Sequence, residues 1–243
     1  MAGPVSWSAH IVVDDPNAML PEALRGLQAL SPVPSVTVID NAPAGQKRPD
    51  IAWPGLRWLR NPRAQTVGRS FNQAMELALA HAQGDLENNF ALLLSPDVIV
   101  GTDLIPKLDA LFDAEPLLGA VGPKLRRAHI AGSLDGEHRE IEFTDTLDAI
   151  GISSNWLGKI GFRGRGERDD GQQIFKKPAF APAPACFAVR LSAVRALSVS
   201  GPWFREKGDW QGVAVGFFRR LKGAEYRLTV ATEAVSWRLT PRV

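Results

Sequence analysis

The chain has 243 residues, of which 45% are hydrophobic and 22% are charged, and its formal net charge is +2. This composition is typical of a globular protein, and no apolar run is long enough to span a bilayer. The single cysteine, Cys186, excludes an internal disulfide, and the four histidines show no zinc-type spacing. Because the first residues do not resemble a secretory signal, we expect a cytoplasmic protein.

Strand and helix patterns alternate along the first half of the chain. The runs SAHIVVD, SVTVIDN, LRWLRN, FALLL and LGAVGPKL predict strands, and NAMLPEALRGLQAL, TVGRSFNQAMELALAHA and TDLIPKLDALFDA predict helices. Thr102 is the predicted N-cap of the third helix. This alternation predicts an α/β fold with a mostly parallel sheet. The absence of GxGxxG and GxxxxGKS/T motifs disfavours a dinucleotide-binding Rossmann fold and a P-loop NTPase.

Polar residues follow four of the predicted strands, namely Asp14, Asp40, Asn61 and Asp97. In a parallel sheet these strand ends share one edge, which is where α/β proteins bind nucleotides. Asp97 follows the apolar strand almost at once, in the sequence Ser95-Pro96-Asp97, and we interpret it as a residue of a ligand-binding site at this edge. The alternative is ordinary turn chemistry, which also accounts for the Asp-Asn pair that begins at Asp40.

The second half of the chain is less regular. Residues 126–180 are rich in Gly, Arg, Asp and Glu and show little periodicity, which predicts a long irregular segment with a functional role. After it, PACFAVRLSAVRAL predicts a strand that runs into a helix capped by Ser192. VAVGFFRRLKG predicts a last helix that Gly223 terminates, and YRLTVATEAVSWRL predicts one or two strands.

From Arg163 onward the chain is basic, with 15 Lys and Arg against 7 Asp and Glu. This excess suits an anionic partner, of which we expect phosphate or an anionic lipid surface and not nucleic acid, although a solvated basic face is an equal alternative. Aromatic residues lie among these basic ones and favour peripheral contact with a membrane or a lipid-diphosphate acceptor. Core packing is the alternative for this aromatic set, which comprises Trp203, Phe204, Trp210, Phe217 and Phe218.

Several segments resemble glycosyltransferase family 2, and most of all its bacterial rhamnosyltransferase-like branch. They are VTVIDNA, RNPRAQTVGRSFNQAMELA, ALLLSPDVIVGTDLIPKLDALF, LGAVGPKLRR, DTLDAIGI and RGRGERDDGQ. The resemblance implies a GT-A type fold, with a nucleotide-sugar-binding half at residues 1–125 and an acceptor-binding half at residues 126–243. It also implies inverting transfer of a sugar, such as rhamnose or another hexose, from a nucleotide-diphosphate donor to a glycan or lipid-linked acceptor.

The resemblance further implies roles for residues of the first half. Asp40, followed by Asn41, would accept a hydrogen bond from the nucleotide base, and Asp14 lies where the family's first strand meets that base. Gly68 and Asn72 match the helix beside the nucleotide, although a plain surface position is an equal alternative for Asn72.

Ser95 and Asp97 match the two ends of the family's DxD element. The resemblance implies that Ser95 touches the ribose or a metal, and that Asp97 ligates Mg²⁺ or Mn²⁺ on the donor diphosphate. Such a cation would neutralise the charge that builds up on the departing nucleoside diphosphate.

The chain departs from the family pattern in three places. Ser95 replaces the first acid of the DxD element. Gln211 and Gly212 stand where active members carry an acidic pair, so the expected general base is missing. Ser236 or Trp237 stands where a histidine often completes the metal site. These losses leave open a catalytically inactive relative that acts as a binding module or partner subunit.

Other acids are candidates for the missing base. Asp209 precedes Gln211 by two residues, and its favoured alternative is an N-cap of the following helix. Glu167 and Asp169, together with Asp170, lie in the acceptor-side segment, and a solvated acidic turn explains them equally well. A third activity, nucleotidyl transfer to a sugar phosphate, lacks the glycine- and lysine-rich signature that such chemistry uses.

Overall fold

The structure is a computed structural model that describes residues 5–16, 19–131, 140–154, 159–171 and 179–240. The helices within these ranges are α1 (Leu20–Gln28), α2 (Val67–His81), α3 (Leu104–Ala114), α4 (Leu191–Leu197) and α5 (Trp210–Gly223). The strands are β1 (Ser6–Val13), β2 (Ser35–Asp40), β3 (Leu56–Arg60), β4 (Asn89–Leu94), β5 (Val98–Ile99), β6 (Leu118–Ala131), β7 (Glu140–Ala149), β8 (Ile152–Ser154), β9 (Ile160–Phe162), β10 (Cys186–Arg190) and β11 (Arg227–Thr240).

One large sheet has the strand order β3-β2-β1-β4-β10-β6-β11-β5, with β7 paired to β6. The strands β3, β2, β1 and β4 are parallel. Across the antiparallel β10, the parallel pair β6 and β11 runs in the same direction as β4. The sheet is therefore mostly parallel, which confirms the predicted α/β class. Ile11 lies opposite Leu94, and Val13 lies opposite Asp40, so the carboxyl ends of β1, β2 and β4 share one edge.

Helices cover both faces of this sheet. α1 and α3 pack on one face, and α2, α4 and α5 pack on the other. β4 contributes Leu92 and Leu94 to the first core and Ala91 and Leu93 to the second. A strand that is buried on both faces has a continuous apolar sequence, which explains the run FALLL. Burial of each leucine stabilises the fold by roughly 1.5–3 kcal/mol.

A buried arginine, Arg190, connects the end of β10 to the end of α3 and is only 5% exposed. Its Nη2 donates to Phe112 O at 2.7 Å and to Glu115 O at 3.2 Å. Its Nη1 donates to Glu87 O at 2.6 Å, and its Nε donates to Leu118 O at 3.2 Å. The guanidinium thus satisfies carbonyl groups that the end of a helix leaves without an intrahelical partner.

The segment 126–180 is more regular than its sequence predicts. Within its described parts, β6 extends to Ala131 and pairs with the antiparallel β7, where Ile141 lies opposite Ile130. β8 and β9 form a separate two-stranded sheet. The sequence of β7 alternates apolar residues at Ile141, Phe143, Leu147 and Ala149, but Asp145 interrupts this period and the first part of the strand is largely exposed.

The helix caps also differ from the prediction. The N-caps of α3 and α4 are Asp103 and Arg190, in place of Thr102 and Ser192, and neither makes a side-chain cap hydrogen bond. α5 ends at Gly223 as predicted, but the backbone turns left-handed two residues later, where Glu225 has a φ of 67°.

Candidate functional site

The turn Ser95-Pro96-Asp97 lies between β4 and β5, at the carboxyl edge of the sheet. The Ser95 N–H donates to Ala185 O at 2.8 Å, and the Val98 N–H donates to Ser95 O at 3.1 Å. The Ser95 hydroxyl donates to Asp97 Oδ1 in a short hydrogen bond. The two ends of the predicted donor motif therefore touch each other, and one carboxylate oxygen of Asp97 is already engaged.

Arg238 on β11 engages the other oxygen. Its Nε donates to Asp97 Oδ2 at 2.8 Å. The backbone fixes this contact, because Arg238 pairs with Val98 and the Leu239 N–H donates to Asp97 O at 2.7 Å. Burial lowers the pKa of Arg238, but the neighbouring carboxylates of Asp97 and Asp148 outweigh burial and raise it above its ordinary value. The pair is therefore a fixed ion pair at the strand end.

The resemblance puts Ser236 or Trp237 at the position of the family's metal-site histidine. In the structure, the residue that contacts Asp97 is Arg238 instead. The Ser236 hydroxyl is buried and accepts the Gly101 N–H at 3.3 Å. The Trp237 ring packs edge-on against Phe143, with ring centroids 5.0 Å apart. Arg238 belongs to no motif, and its only signal in the sequence is an isolated cation in a half-buried strand.

A second arginine is linked to Arg238 through a buried carboxylate. Asp148 is 3% exposed in its side chain, and its Oδ1 accepts from Arg165 Nη2 at 3.3 Å. Arg238 Nη1 lies 3.6 Å from Asp148 Oδ2, which has no hydrogen-bond partner among the described residues. The Arg165 guanidinium also lies 4.3 Å from the Phe162 ring centroid. Acids and arginines therefore alternate in space, in the order Asp97, Arg238, Asp148 and Arg165.

These groups border a pocket of about 360 Å³ at the carboxyl edge of the sheet. Such a volume is typical of a site for a small ligand. The pocket brings together the end of β4, the segment before β10, the start of α5 and the end of β11. Its walls are formed by Ser95, Phe162, Arg165, Pro184, Ala185, Asp209, Trp210, Gln211 and Arg238.

Asp209 is both the N-cap of a helix and a residue of the pocket wall. It is the N-cap of α5, where its Oδ1 accepts the Gly212 N–H at 2.8 Å. It also lines the pocket, and its Oδ2 has no hydrogen-bond partner within the described part of the chain. Trp210 fixes the start of this helix, because its Nε1 donates to Pro184 O at 2.8 Å. The cap and the pocket role are therefore compatible in one side chain.

Asp40 and Asn41 lie at the same sheet edge but not on the pocket wall. Asp40 is fully buried, and it accepts from Trp58 Nε1 at 2.8 Å, from Arg60 Nε at 2.7 Å and from the Ala42 N–H at 2.8 Å. Burial alone raises the pKa of Asp40, but these donors hold it below its ordinary value. The Asp40 carboxylate therefore joins β2 to β3.

Asn41 joins the same edge to the loop before α2. Its Oδ1 accepts from Asn61 Nδ2 at 2.8 Å, and its Nδ2 donates to the Ser70 hydroxyl at 3.0 Å. The predicted polar strand ends Asp40 and Asn61 thus come close together through Asn41.

Gly68 and Asn72 hold the segment that leads towards Asp209. A Cβ at Gly68 would lie 1.8 Å from Arg205 O, so only glycine permits this approach. Asn72 Nδ2 donates to Phe204 O at 2.9 Å, and Asn72 Oδ1 accepts the Phe204 N–H at 2.9 Å. Both residues fix the chain just before the pocket, and neither lines it.

Glu167 and Asp169, two of the three acids named in the acceptor-side segment, have different surroundings. The Asp169 side chain is 2% exposed, and its Oδ2 lies 2.8 Å from Lys124 Nζ and 2.6 Å from Arg126 Nη2. Burial by itself raises the pKa of Asp169, but the hydrogen bonds from these two cations outweigh it and lower the pKa. Glu167 is exposed on a turn, where its N–H donates to Gly164 O at 2.9 Å. Neither acid lines the pocket.

Asp14 is exposed after the end of β1 and does not line the pocket either. Its neighbour Asp15 is also exposed and accepts from Gln46 Nε2 at 2.8 Å. This places the acidic pair near the loop that follows β2.

The aromatic set near the end of the chain belongs to the core. Phe204, Phe217 and Phe218 are fully buried, while the indole N–H groups of Trp203 and Trp210 donate to backbone carbonyls. The structure thus supports core packing for these residues. No helix in the described ranges is long and apolar enough to cross a membrane.

The donor set at Asp97 does not fit the divalent cation expected there. Mg²⁺ and Ca²⁺ take six or more oxygen ligands, and Mn²⁺ also prefers a shell of oxygens. Both oxygens of Asp97 are already bonded, to Ser95 and to Arg238. Across the ranges that the structure describes, no group of three or more His, Cys, Asp or Glu side chains could hold a metal ion.

No protein-family model and no curated protein matches the chain. Among solved structures, a mannosyltransferase from Pyrobaculum calidifontis, in complex with GDP-Man and Mn²⁺, matches 97% of this chain with a TM-score of 0.56 and 12% identity. S. aureus TarS 1-349 matches 97% with a TM-score of 0.50 and 12% identity. Glucosyl-3-phosphoglycerate synthase from Mycobacterium tuberculosis, in complex with Mn²⁺, UDP-Glc and phosphoglyceric acid, matches 98% with a TM-score of 0.50 and 14% identity.

This chain is shorter than the proteins whose fold it shares. It spans 57% of the mannosyltransferase chain, 60% of the TarS chain and 73% of the synthase chain. At such low identity the likeness concerns the fold, and it confirms the predicted GT-A type. The rhamnosyltransferase-like branch remains a prediction.

Proposed function

We propose that this chain is a glycosyltransferase that moves a sugar from a nucleotide-diphosphate donor to a hydroxyl of a glycan or lipid-linked glycan. The observation that carries this proposal is the pocket where the arginines Arg165 and Arg238 meet the carboxylate of Asp209. Guanidinium groups suit a diphosphate, and a carboxylate suits a general base. The GT-A type fold, shared with proteins solved with GDP-Man and UDP-Glc, supports the proposal.

In this mechanism Asp209 accepts the proton of the acceptor hydroxyl on Oδ2, while Oδ1 keeps its hydrogen bond to Gly212. The acceptor oxygen attacks the anomeric carbon from the face opposite the diphosphate, so the configuration inverts. The bond from that carbon to the diphosphate oxygen breaks, and its electron pair leaves with the nucleoside diphosphate. Fixed positive charge beside the departing oxygens stabilises this step.

We propose different binding roles for the two halves of the chain. We assign the nucleoside of the donor to residues 1–125, and the acceptor to residues 126–243, with rhamnose or another hexose as the transferred sugar. The second half also supplies Arg165 and Arg238 to the donor diphosphate. Asp14 and the exposed Glu167 are the candidate contacts outside the pocket, to the nucleotide and to the acceptor. Asp40 and Asp169 stabilise the surrounding structure through the ion pairs described above, so we assign neither of them to proton transfer.

A second candidate function is nucleotide-sugar binding without turnover, as a binding module or partner subunit. The sequence at Gln211 and Gly212 favours it, because these residues line or adjoin the pocket and neither accepts a proton. The same pocket would then hold the donor, and Asp209 would act as a helix cap alone.

The surroundings of the protein follow from the same proposal. We place the protein in the cytoplasm by default, because its single cysteine, Cys186, cannot form an internal disulfide. A lipid-linked acceptor would bring the protein to a membrane surface only peripherally. The buried aromatic residues near the end of the chain supply no anchor for that contact.

The test is a panel of UDP-, GDP- and dTDP-linked hexoses with glycan acceptors, in which donor affinity and release of the nucleoside diphosphate are both measured. Asp209→Asn keeps the cap, because asparagine caps helices as well as aspartate does, and it removes the base. We expect its donor affinity to persist while turnover falls by roughly 10²- to 10⁴-fold.

The outcomes separate the candidates. Donor binding with no release from any acceptor, in wild type and variant alike, would favour the non-catalytic module. Unchanged turnover in Asp209→Asn would remove Asp209 from the mechanism. No binding of any nucleotide-sugar would refute both functions.

A further inference from the structure

Glycosyl transfer requires positive charge at the donor diphosphate, because negative charge accumulates there as the sugar leaves. The mannosyltransferase and the synthase with this fold were solved with Mn²⁺. In this chain, the carboxylate at the end of β4 is instead bonded to a guanidinium, with 2.8 Å between Asp97 Oδ2 and Arg238 Nε.

We propose that Arg238, with Arg165 beside it, is the built-in cation of the donor pocket, so that the chain binds nucleoside diphosphates without a divalent metal ion. This inference rests on the proposed function and names the groups that recognise its donor. Arg238 then contacts the diphosphate, and Asp97 acts as a positioning residue that holds the guanidinium in place.

The guanidinium of Arg238 has the geometry and the free capacity for this role. A guanidinium has five N–H donors in a planar fork that matches phosphate oxygens. In the described part of the chain its partners are two carboxylates, Asp97 through Nε and Asp148 at 3.6 Å from Nη1. The side chain is 29% exposed and lines the pocket, so donors remain on the side that a ligand would occupy.

The cation is also held in advance of ligand binding. Arg238 is fixed by strand pairing with Val98, and Asp148 lies between Arg238 and Arg165. Because these side chains are already held in place, they lose little conformational entropy when the diphosphate binds. Arg165 is more exposed, and its one ion pair with a described residue is 3.3 Å long, so it can turn towards a second phosphate.

A metal ion would have to compete with this arrangement. To reach Asp97 it would displace Arg238, and the displaced guanidinium would lose a charged partner in a half-buried position. Asp148 offers no alternative, because its side chain is buried between the two arginines. The Asp97 carboxylate therefore already has a cationic partner without a metal.

The experiment is calorimetric titration of the full chain with UDP, GDP and dTDP, first in excess EDTA and then with Mn²⁺ or Mg²⁺. We expect at least one nucleotide to bind, with affinities in the two buffers that agree within about twofold. In EDTA, Arg238→Gln should weaken that binding by roughly 10- to 100-fold, as the loss of charged hydrogen bonds predicts. Arg238→Lys keeps the charge but loses the planar arrangement of donors, so its nucleotide affinity should lie between those of the wild type and Arg238→Gln.

The matched control is Arg227→Gln, which removes the same charge at the opposite, exposed end of β11 and should change affinity by less than about twofold. Arg165→Gln, on an exposed turn, gives a second variant that does not depend on the folding of β11. Melting curves without ligand verify that each variant is folded.

Three results would overturn the inference. Binding that appears only with a divalent metal would refute it and leave the proposed glycosyltransferase function standing. Equal affinities for Arg227→Gln and for folded variants at Arg238 and Arg165 would also refute it. No binding of any nucleotide in either buffer would refute the inference and the proposed donor site together.

Discussion

Replacement of Asn72 by alanine tests the role of this side chain in stability. The change removes two hydrogen bonds of 2.9 Å to the backbone of Phe204. The Phe204 ring is fully buried and stacks on Phe217 with centroids 4.4 Å apart, so its backbone cannot move into solvent to find new partners. Two lost bonds at about 1 kcal/mol each, plus the cost of unpaired groups, give roughly 2–4 kcal/mol.

Urea unfolding followed by circular dichroism measures this loss, and it corresponds to a fall in Tm of roughly 4–16 °C for a chain of this size. Asn72→Asp keeps the acceptor for the Phe204 N–H and should lose only part of the stability. Glu76→Ala, at an exposed position on the same helix, should change it by less than about 0.5 kcal/mol. A loss below about 1 kcal/mol for Asn72→Ala would show that the two hydrogen bonds do not hold this segment.

Three further changes test other parts of the structure. Arg190→Met leaves four carbonyl groups without their donor, and urea unfolding should show a loss of roughly 3–5 kcal/mol, which Arg190→Lys recovers in part. Gly68→Ala forces a Cβ to within 1.8 Å of Arg205 O, so a Tm equal to wild type would contradict the close approach. Asp40 and Asp169 have folded pKa values below their ordinary ones, so their stabilisation is complete above about pH 4, the unfolded pKa, and is lost as the pH falls through the folded values. The urea midpoint should drop over that acid range, and a midpoint that is flat there would contradict the ion pairs.

Short sequence patterns predicted the features that depend only on adjacent residues. The run FALLL predicted a strand, and a turn was the alternative interpretation of Ser95-Pro96-Asp97; the structure contains both, because a strand and its turn are fixed by adjacent residues. Asp209 was predicted to cap α5 by the same reasoning. Its position on the pocket wall also depends on how the helix packs, which the sequence does not encode in any short segment.

Long-range contacts explain what the sequence did not reveal. Asp40 looks like a ligand-binding strand end, but Trp58 and Arg60 on the next strand occupy its carboxylate. Asp169 looks like a loop acid, but Lys124 and Arg126 on β6 pair with it. In each case the partner lies on a neighbouring strand, and only strand order decides which side chains meet.

The contact between Asp97 and Arg238 joins positions 141 residues apart, which has a consequence for biosynthesis. At about 5–20 residues per second, a ribosome adds Arg238 roughly 7–28 s after Asp97. Until then Asp97 lacks the guanidinium with which it pairs in the folded sheet. Under the proposed role of Arg238, affinity for the donor diphosphate would arise only when β11 has docked, and nucleotide binding would then report the completion of the sheet.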